Sequence, residues 1–494
     1  MSFEKRPSIL LVLLLFLGGM LRVFHLDTRD FWYDEAFTGV LVREEWGRMM
    51  EIIIADTHPP LYYIFVKLFA MPFDYSVFGI RFFSVICGVL GIYGVYVCGK
   101  ELVHRRAGMY ASFLLTVSPF GLYYAQEARM YALLACLTTF AWYFFLKAIR
   151  TASDRSYIAW GILCSLSILT HYMGFISLAC MGAVYLFQGG RDVWRKRHGA
   201  WVLTLREYLI NKSLWLGLGI GTILFLPWVR YFLLQFATKE EKISWIEPAV
   251  FADVFRAVQM FLFGIPPGEL SMGMPEPNEL LVAHDASVFA LLLITLALLL
   301  VYVYLRDRIT TMVLGIASFG YLLFVYILSL AGFDYFVVRY LIPSAYFFYI
   351  LFGWWLSLLS LRKRMLVICI YCTLLLSIVP YHPSQGFTLL RDHDPYPGKR
   401  IYVLNTFDYV IAKYYFGYDR VVLFNLDWPE YNPKDWLGVN GKIQRVERIA
   451  DMGPDPVILV HTQSNPVETF QKLRSHGQFR VLAQFDYLVL LSTR

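Results

Sequence analysis

Apolar runs of about twenty residues recur along most of this 494-residue chain, each interrupted by a short polar stretch. At about 1.5 Å of rise per residue, such a run matches a hydrocarbon layer about 30 Å thick, so the pattern predicts membrane-crossing helices. They fall near residues 8–26, 79–99, 108–125, 129–148, 156–173, 174–189, 213–233, 286–305, 311–330, 340–360 and 365–380, eleven in all. Lys5 and Arg6, Arg105 and Arg106, Arg150 and Arg155, Arg191 to Arg197, Arg306 and Arg308, and Arg362 to Arg364 then fall on one side. Basic residues favour the cytoplasmic side, so the N-terminus is expected there. The opposite face receives a first outer loop at 27–78, a Pro-rich loop at 234–284, the connection Phe333 to Arg339, and everything beyond Tyr381.

After Pro380 the pattern changes. Residues 381–400, rich in His, Pro, Asp and Gly, read as a linker from the 1–380 membrane domain. Short apolar runs (IYVLN, RVVLFN, PVILVHT, FRVLAQF, YLVLLST) then alternate with amphipathic ones across 401–494. Strand, helix, strand in repetition predicts a small three-layer α/β domain with a largely parallel sheet, expected to lie over the outer face and help bind an acceptor. No Gly-rich phosphate loop follows any of these strands.

Composition supports the membrane class: 58% of residues are hydrophobic and 16% charged, against about 25% charged in a soluble domain. The net charge of +7 is dispersed in small clusters between apolar runs, which excludes nucleic acid as the expected partner. The first run ends at Arg22 and His25 without a small-residue cleavage site and is expected to remain as a helix. All seven cysteines lie in expected spans, so no disulfide is expected in the outer segments.

Chemistry is sought among polar residues on the outer face. Asp34 and Glu35 follow the first span in FWYDEAFT, and carboxylates at the rim of a membrane domain are costly to keep there without a task. Adjacent helical residues point about 100° apart, so at most one of the two can face a reacting centre. THPPLYYIFVKLFAMPF (Thr57 to Phe73) predicts a short interfacial helix with Tyr62 and Tyr63 at headgroup depth. Arg81 enters the outer end of the second span and there needs an anion or a path to the surface. QEARMY (Gln126 to Tyr131) adds Glu127 and Arg129 to the same face, and FDYFVVRYLIP (Phe333 to Pro343) adds Asp334, Arg339 and Tyr340. His171 and Tyr172 in THYMGF fit either a satisfied interfacial turn or a ligand contact. The loop at 234–284 is too long for a simple connector and is expected to act as a lid.

The ordered set WYDEA, HPPLYY (His58 to Tyr63), an arginine opening the second span, and QEARMYAL resembles the protein O-mannosyltransferase-like and ArnT-like branch of the GT-C glycosyltransferases, over roughly residues 1–360. These are polytopic enzymes that take sugars from polyprenyl phosphates. The resemblance implies that the Asp-Glu pair is catalytic, with Asp34 as base. It also implies that Arg81 holds the lipid phosphate, and that His58, Glu127, Arg129, Tyr131, His171, Tyr172, Arg339 and Tyr340 line the substrate site. Glu35 is left to orient the acceptor, bind an arginine or hold the loop. The family's mannosyltransferases carry a large inserted domain, for which 234–284 is too short; a lipid or glycan acceptor is therefore preferred to a protein.

A sugar on a lipid phosphate already has a leaving group, provided that cations neutralise its oxygens. The acceptor hydroxyl needs a base, and one carboxylate opposite the phosphate implies inversion by single displacement. The expected protein is thus an inverting glycosyltransferase of the plasma membrane, using undecaprenyl-phosphate-type donors and no cofactor. A divalent cation on Asp34 and Glu35, a protein acceptor, and a transporter of lipid-linked glycans are the alternatives left open.

Overall fold

A computed structural model describes residues 9–195, 208–238, 248–264, 299–333, 335–378, 386–404, 406–417 and 419–424, and beyond these chiefly the strands of a C-terminal sheet. The expected span at 286–305, most of the loop at 234–284, and Asp334 lie largely or wholly outside the described residues.

Helix α1 (Ile9–Val23) leads into three short helices, α2 (Tyr33–Arg43), α3 (Trp46–Ala55) and α4 (Leu61–Ala70). The bundle continues with α5 (Val77–Leu102), α6 (Arg105–Val117), α7 (Pro119–Ala125), α8 (Tyr131–Thr151), α9 (Asp154–Thr170) and α10 (Gly174–Arg195). Later helices include Lys212–Ala237, Arg308–Leu330 and Val338–Leu358. Among the described residues, five helices are long and apolar enough to cross a membrane: α5, α8 and these three. The run expected at 108–125 is broken, because Pro119 has no N–H to continue α6 and Ser118 caps α7 by accepting from Gly121 N at 3.1 Å.

That break leaves carbonyls of α6 without helical partners, and Arg22 on α1 supplies the donors. Its guanidinium is buried and bonds Gly18 O at 3.1 Å, Leu115 O at 3.0 Å and Thr116 O at 3.4 Å. Elsewhere small residues let helices meet backbone to backbone. A Cβ on Gly353 would sit 2.5 Å from Ala111 N, so the Val338–Leu358 helix can lie against α6 only because nothing projects there.

The α2–α4 segment is folded onto the bundle. Asp34 and Glu35 occupy the first turn of α2, where the positive end of the helix dipole favours them. Lys67 closes its other end, donating to Val42 O at 2.9 Å and Glu44 O at 2.5 Å. Tyr62 and Tyr63, expected at headgroup depth, are instead fully buried. They share a helical face with Val66, Lys67 and Ala70, so α4 turns that face inward and leaves Phe65 and Leu68 exposed.

The C-terminal region forms a six-stranded sheet of β1 (Ile401–Val403), β2 (Val421–Phe424), β3 (Arg445–Val446), β4 (Val457–His461), β5 (Phe479–Phe485) and β6 (Leu488–Thr493). The order is β3-β2-β1-β4-β6-β5. The first three pairings are parallel, and β6 pairs antiparallel with β4 and β5, so the sheet is mixed. Between β1 and β2 the Thr406–Phe416 helix packs on α2, on a face of the first outer loop that the sequence does not mark.

Candidate active site

Glu35 and Asp34 have opposite surroundings, as adjacent positions on one helix turn require. Glu35 is buried and receives Arg81 through two hydrogen bonds, Nε to Oε1 at 2.8 Å and Nη2 to Oε2 at 2.6 Å. Arg81 spends its remaining donors on Leu26 O at 2.9 Å, Arg29 O at 2.7 Å and Asp30 O at 3.1 Å. A guanidinium has five N–H groups, and all five are satisfied inside the protein. The expectation that Arg81 meets a lipid phosphate therefore finds no donor left to make the contact. Glu35 also accepts from Ala128 N at 2.8 Å. Burial alone would raise its carboxyl, but Arg81, Arg29 and that N–H together hold it below its ordinary value.

Asp34 is partly exposed and faces the other way. Its Oδ2 lies 3.8 Å from Arg129 Nε and 3.9 Å from Arg339 Nη2, ion-pair distances too long for hydrogen bonds. Arg129 extends from the α7–α8 junction and bonds Tyr63 Oη at 3.2 Å. Arg339 comes from the start of the Val338–Leu358 helix and lies over the Trp32 ring, 5.6 Å from its centre. One carboxylate thus meets two guanidiniums, the three side chains coming from three distant parts of the chain.

Glu127, from the same junction, does not reach Asp34. Its Oε1 accepts from Trp32 Nε1 at 3.1 Å and its buried Oε2 has no hydrogen-bond partner among the described residues. Burial, and then the charge of Glu35, push its carboxyl up to about 8, so at neutral pH it is largely a protonated acid.

A second polar group lies near Arg129. Asp56 Oδ2 holds His58 Nδ1 at 3.1 Å, and the His58 and His171 rings are 5.4 Å apart. Burial would raise Asp56, but His58 keeps it below its ordinary value. His171 follows α9, its ring 4.7 Å from Tyr340 and 6.2 Å from Tyr131. Tyr172, by contrast, is tied away from this group: its hydroxyl bonds Gln235 and accepts from Trp228 Nε1 at 3.0 Å. Gln235 in turn donates to Ile53 O and His58 O, so Tyr172 braces the His58 turn and its expected substrate contact is not available. Asp56 itself escaped the sequence reading; the signal was an acid two residues before His58, ahead of Pro59 and Pro60.

Among the described residues, no group of three or more His, Cys, Asp and Glu side chains is arranged to hold a metal ion. The cations facing Asp34 are arginines.

The protein family described as dolichyl-phosphate-mannose-protein mannosyltransferase matches residues 57–216. The whole architecture is similar to that of ArnT from Cupriavidus metallidurans bound to undecaprenyl phosphate, at 14% identity, with 97% of each chain covered and a TM-score of 0.61. The fold is GT-C. The same GT-C frame appears in the oligosaccharyltransferase AglB from Archaeoglobus fulgidus, solved with an inhibitory peptide and a dolichol-phosphate. There the identity is 14%, covering 94% of this chain and 70% of that one, with a TM-score of 0.54. No curated protein sequence matches significantly. Of the residues around the site of this GT-C chain, His58, Arg129 and His171 fall inside the family match, whereas Asp34 and Arg339 lie outside it.

Proposed function

We propose that this protein is an inverting glycosyltransferase that moves a hexose or pentose from a polyprenyl phosphate to a lipid or glycan acceptor on the extracytoplasmic face of the plasma membrane. The observation that carries the reading is Asp34 placed between Arg129 and Arg339. An acceptor hydroxyl attacks the anomeric carbon, its proton passes to Asp34, and the bond from that carbon to the phosphate oxygen breaks. The phosphodiester monoanion becomes a phosphomonoester dianion, and the added charge falls where two guanidiniums can take it. Their long contacts to Asp34 can be exchanged for phosphate oxygens, which frees the carboxylate to act as base. Arg81, saturated by Glu35 and three carbonyls, serves instead to hold the N-terminal turn of α2.

Two guanidiniums facing Asp34 repel a divalent cation, so transfer is expected to proceed without one. Full activity after chelation fits this account, and activity abolished by chelation and restored by a metal contradicts it. For the base, Asp34→Asn is the decisive variant. A positioned base contributes about 10²–10⁴-fold. The variant is expected to bind donor lipid with unchanged thermal stability while losing transfer by that order; normal transfer refutes the assignment and would favour a lipid-glycan transporter.

A further inference from the structure

Arg364 joins three helices at the end of the bundle away from Asp34. From the first turn of the Leu361–Ile378 helix it donates Nε to Leu356 O at 2.9 Å and Nη2 to Leu359 O at 2.6 Å, closing the end of the Val338–Leu358 helix. Its Nη1 donates to Tyr110 Oη of α6 at 2.6 Å, and His104 Nε2, just before α6, lies 3.5 Å from Ser357 Oγ. These contacts bring Arg105 and Arg106, which open α6, to the same rim as Arg362 and Lys363. All four are exposed and make no ion pair among the described residues. The acid nearest to them in sequence, Glu101, is already held by Arg150 Nη2 at 2.8 Å. Other basic residues at helix starts have an acid beside them: Arg155 follows Asp154, and Arg306 and Arg308 flank Asp307. Helix α5 carries Arg81 near its start and ends at Leu102 beside this rim, so the four cations stand a full membrane helix away from Asp34 and serve no step there.

We infer that this rim binds an anionic phospholipid of the cytoplasmic leaflet, its phosphate among Arg105, Arg106, Arg362 and Lys363 and its acyl chains along the Leu361–Ile378 helix. The inference does not depend on the donor reading. Each Lys or Arg near a lipid phosphate adds to the attraction, and the effect fades within a Debye length, so only residues gathered at one place act together. The helix supplies the second half of the match. Leu366 lies four residues beyond Arg362 and Ile370 four beyond Leu366, and both are exposed, as is Met365 between them and the basic turn. A charged turn continuous with an apolar ladder suits a headgroup with its chains, whereas a soluble anion has no use for the ladder. A lipid seated there would bridge α6 and the Leu361–Ile378 helix, the two elements between which the Val338–Leu358 helix ends.

The test uses the full-length protein in detergent and reads lipid retained in native mass spectra together with the unfolding temperature. Three probes are compared: phosphatidylglycerol, phosphatidylcholine with the same acyl chains, and glycerol phosphate as the headgroup alone. Phosphatidylglycerol is expected to bind about ten-fold tighter than either of the others and to raise the unfolding temperature. Arg105→Gln with Arg106→Gln, and separately Arg362→Gln with Lys363→Gln, remove exposed side chains that hold nothing in the fold, and each pair is expected to erase most of that preference. Arg155→Gln with Lys212→Gln removes equal charge from the same end, where Ser213 bonds Asp154, and is expected to leave the preference intact. Equal binding of the two lipids overturns the inference. So does an equal loss in the Arg155 and Lys212 variant, which would mean diffuse attraction instead of a site. Glycerol phosphate binding as tightly as the lipid overturns the role of the acyl chains and with it the assignment of a lipid.

Discussion

Glu35 and Arg81 face each other through parallel hydrogen bonds of 2.8 and 2.6 Å in a fully buried setting, and three backbone carbonyls complete the guanidinium. Removing one partner of such a pair leaves an uncompensated charge and costs about 3–5 kcal/mol. Arg81→Met and Glu35→Gln are each expected to lower the unfolding temperature of the purified protein sharply, and the double variant less than their sum. If Arg81 instead met the donor, its variant would unfold normally and show only weakened lipid binding.

Arg129 and Arg339 make the opposite prediction. Both are buried, yet each faces Asp34 at nearly 4 Å, too far for a hydrogen bond, so a substitution that keeps the positive charge disturbs little of this contact. Lysine keeps the charge and loses the planar fork that grips a phosphate. Arg129→Lys and Arg339→Lys should therefore retain near-normal thermal stability while raising KM for donor lipid about ten-fold. Steady-state kinetics with donor varied at saturating acceptor reads the difference.

Much of this was visible in the chain before folding. Acids and arginines on loops expected outside, at Asp34, Glu127, Arg129 and Arg339, do gather at one end of the bundle, because apolar runs leave charge nowhere else to go. Which arginine faces which acid was not visible. Asp34 and Glu35 differ by one residue, and helix phase alone turns one toward Arg129 and the other toward Arg81, 46 positions along the chain. By residue type alone Tyr63 suits an interfacial position. Its burial follows from a face shared with Val66 and Ala70, which pays off only once α5 is there to pack against.

Glu127 gives the protein a pH signature. Its carboxyl, raised from 4.5 to about 8, binds its proton more tightly in the folded state than in the unfolded one. Its contribution to stability is then complete below about pH 4.5 and lost as the pH climbs through about 8. Glu35 and Asp56, both lowered, behave in the opposite sense: their contributions are present above their unfolded values and lost in acid. Unfolding temperature should therefore fall between about pH 5 and 8, and Glu127→Gln, which fixes the neutral form, should flatten that fall. An unchanged slope in the variant would show that Glu127 is ionised in the folded protein.

The C-terminal region is held to α2 and the turn before it by direct contacts, so its removal should be felt at Asp34. Asp30 accepts from Phe387 N at 2.7 Å, Thr388 N at 3.1 Å and Thr388 Oγ1 at 2.6 Å. The next residue, Phe31, donates its N–H to Tyr415 Oη at 3.1 Å, and Arg43 at the end of α2 bonds Tyr414 O at 2.8 Å with its guanidinium 4.1 Å from the centre of the Tyr414 ring. Gly39 makes the fit possible, since a Cβ there would lie 2.6 Å from the Tyr414 ring. These contacts flank Asp34 in sequence on both sides, so loosening them lets the N-terminal turn of α2 shift relative to Arg129. Hydrogen bonds to a charged group contribute about 1.5–3 kcal/mol each, so Asp30→Ala removes enough to detach this region without unfolding the bundle. Limited proteolysis is expected to release a C-terminal fragment from the variant faster than from the parent, with kcat reduced and binding of bare polyprenyl phosphate largely kept. A region that served only to grip the acceptor would change acceptor KM and leave kcat intact.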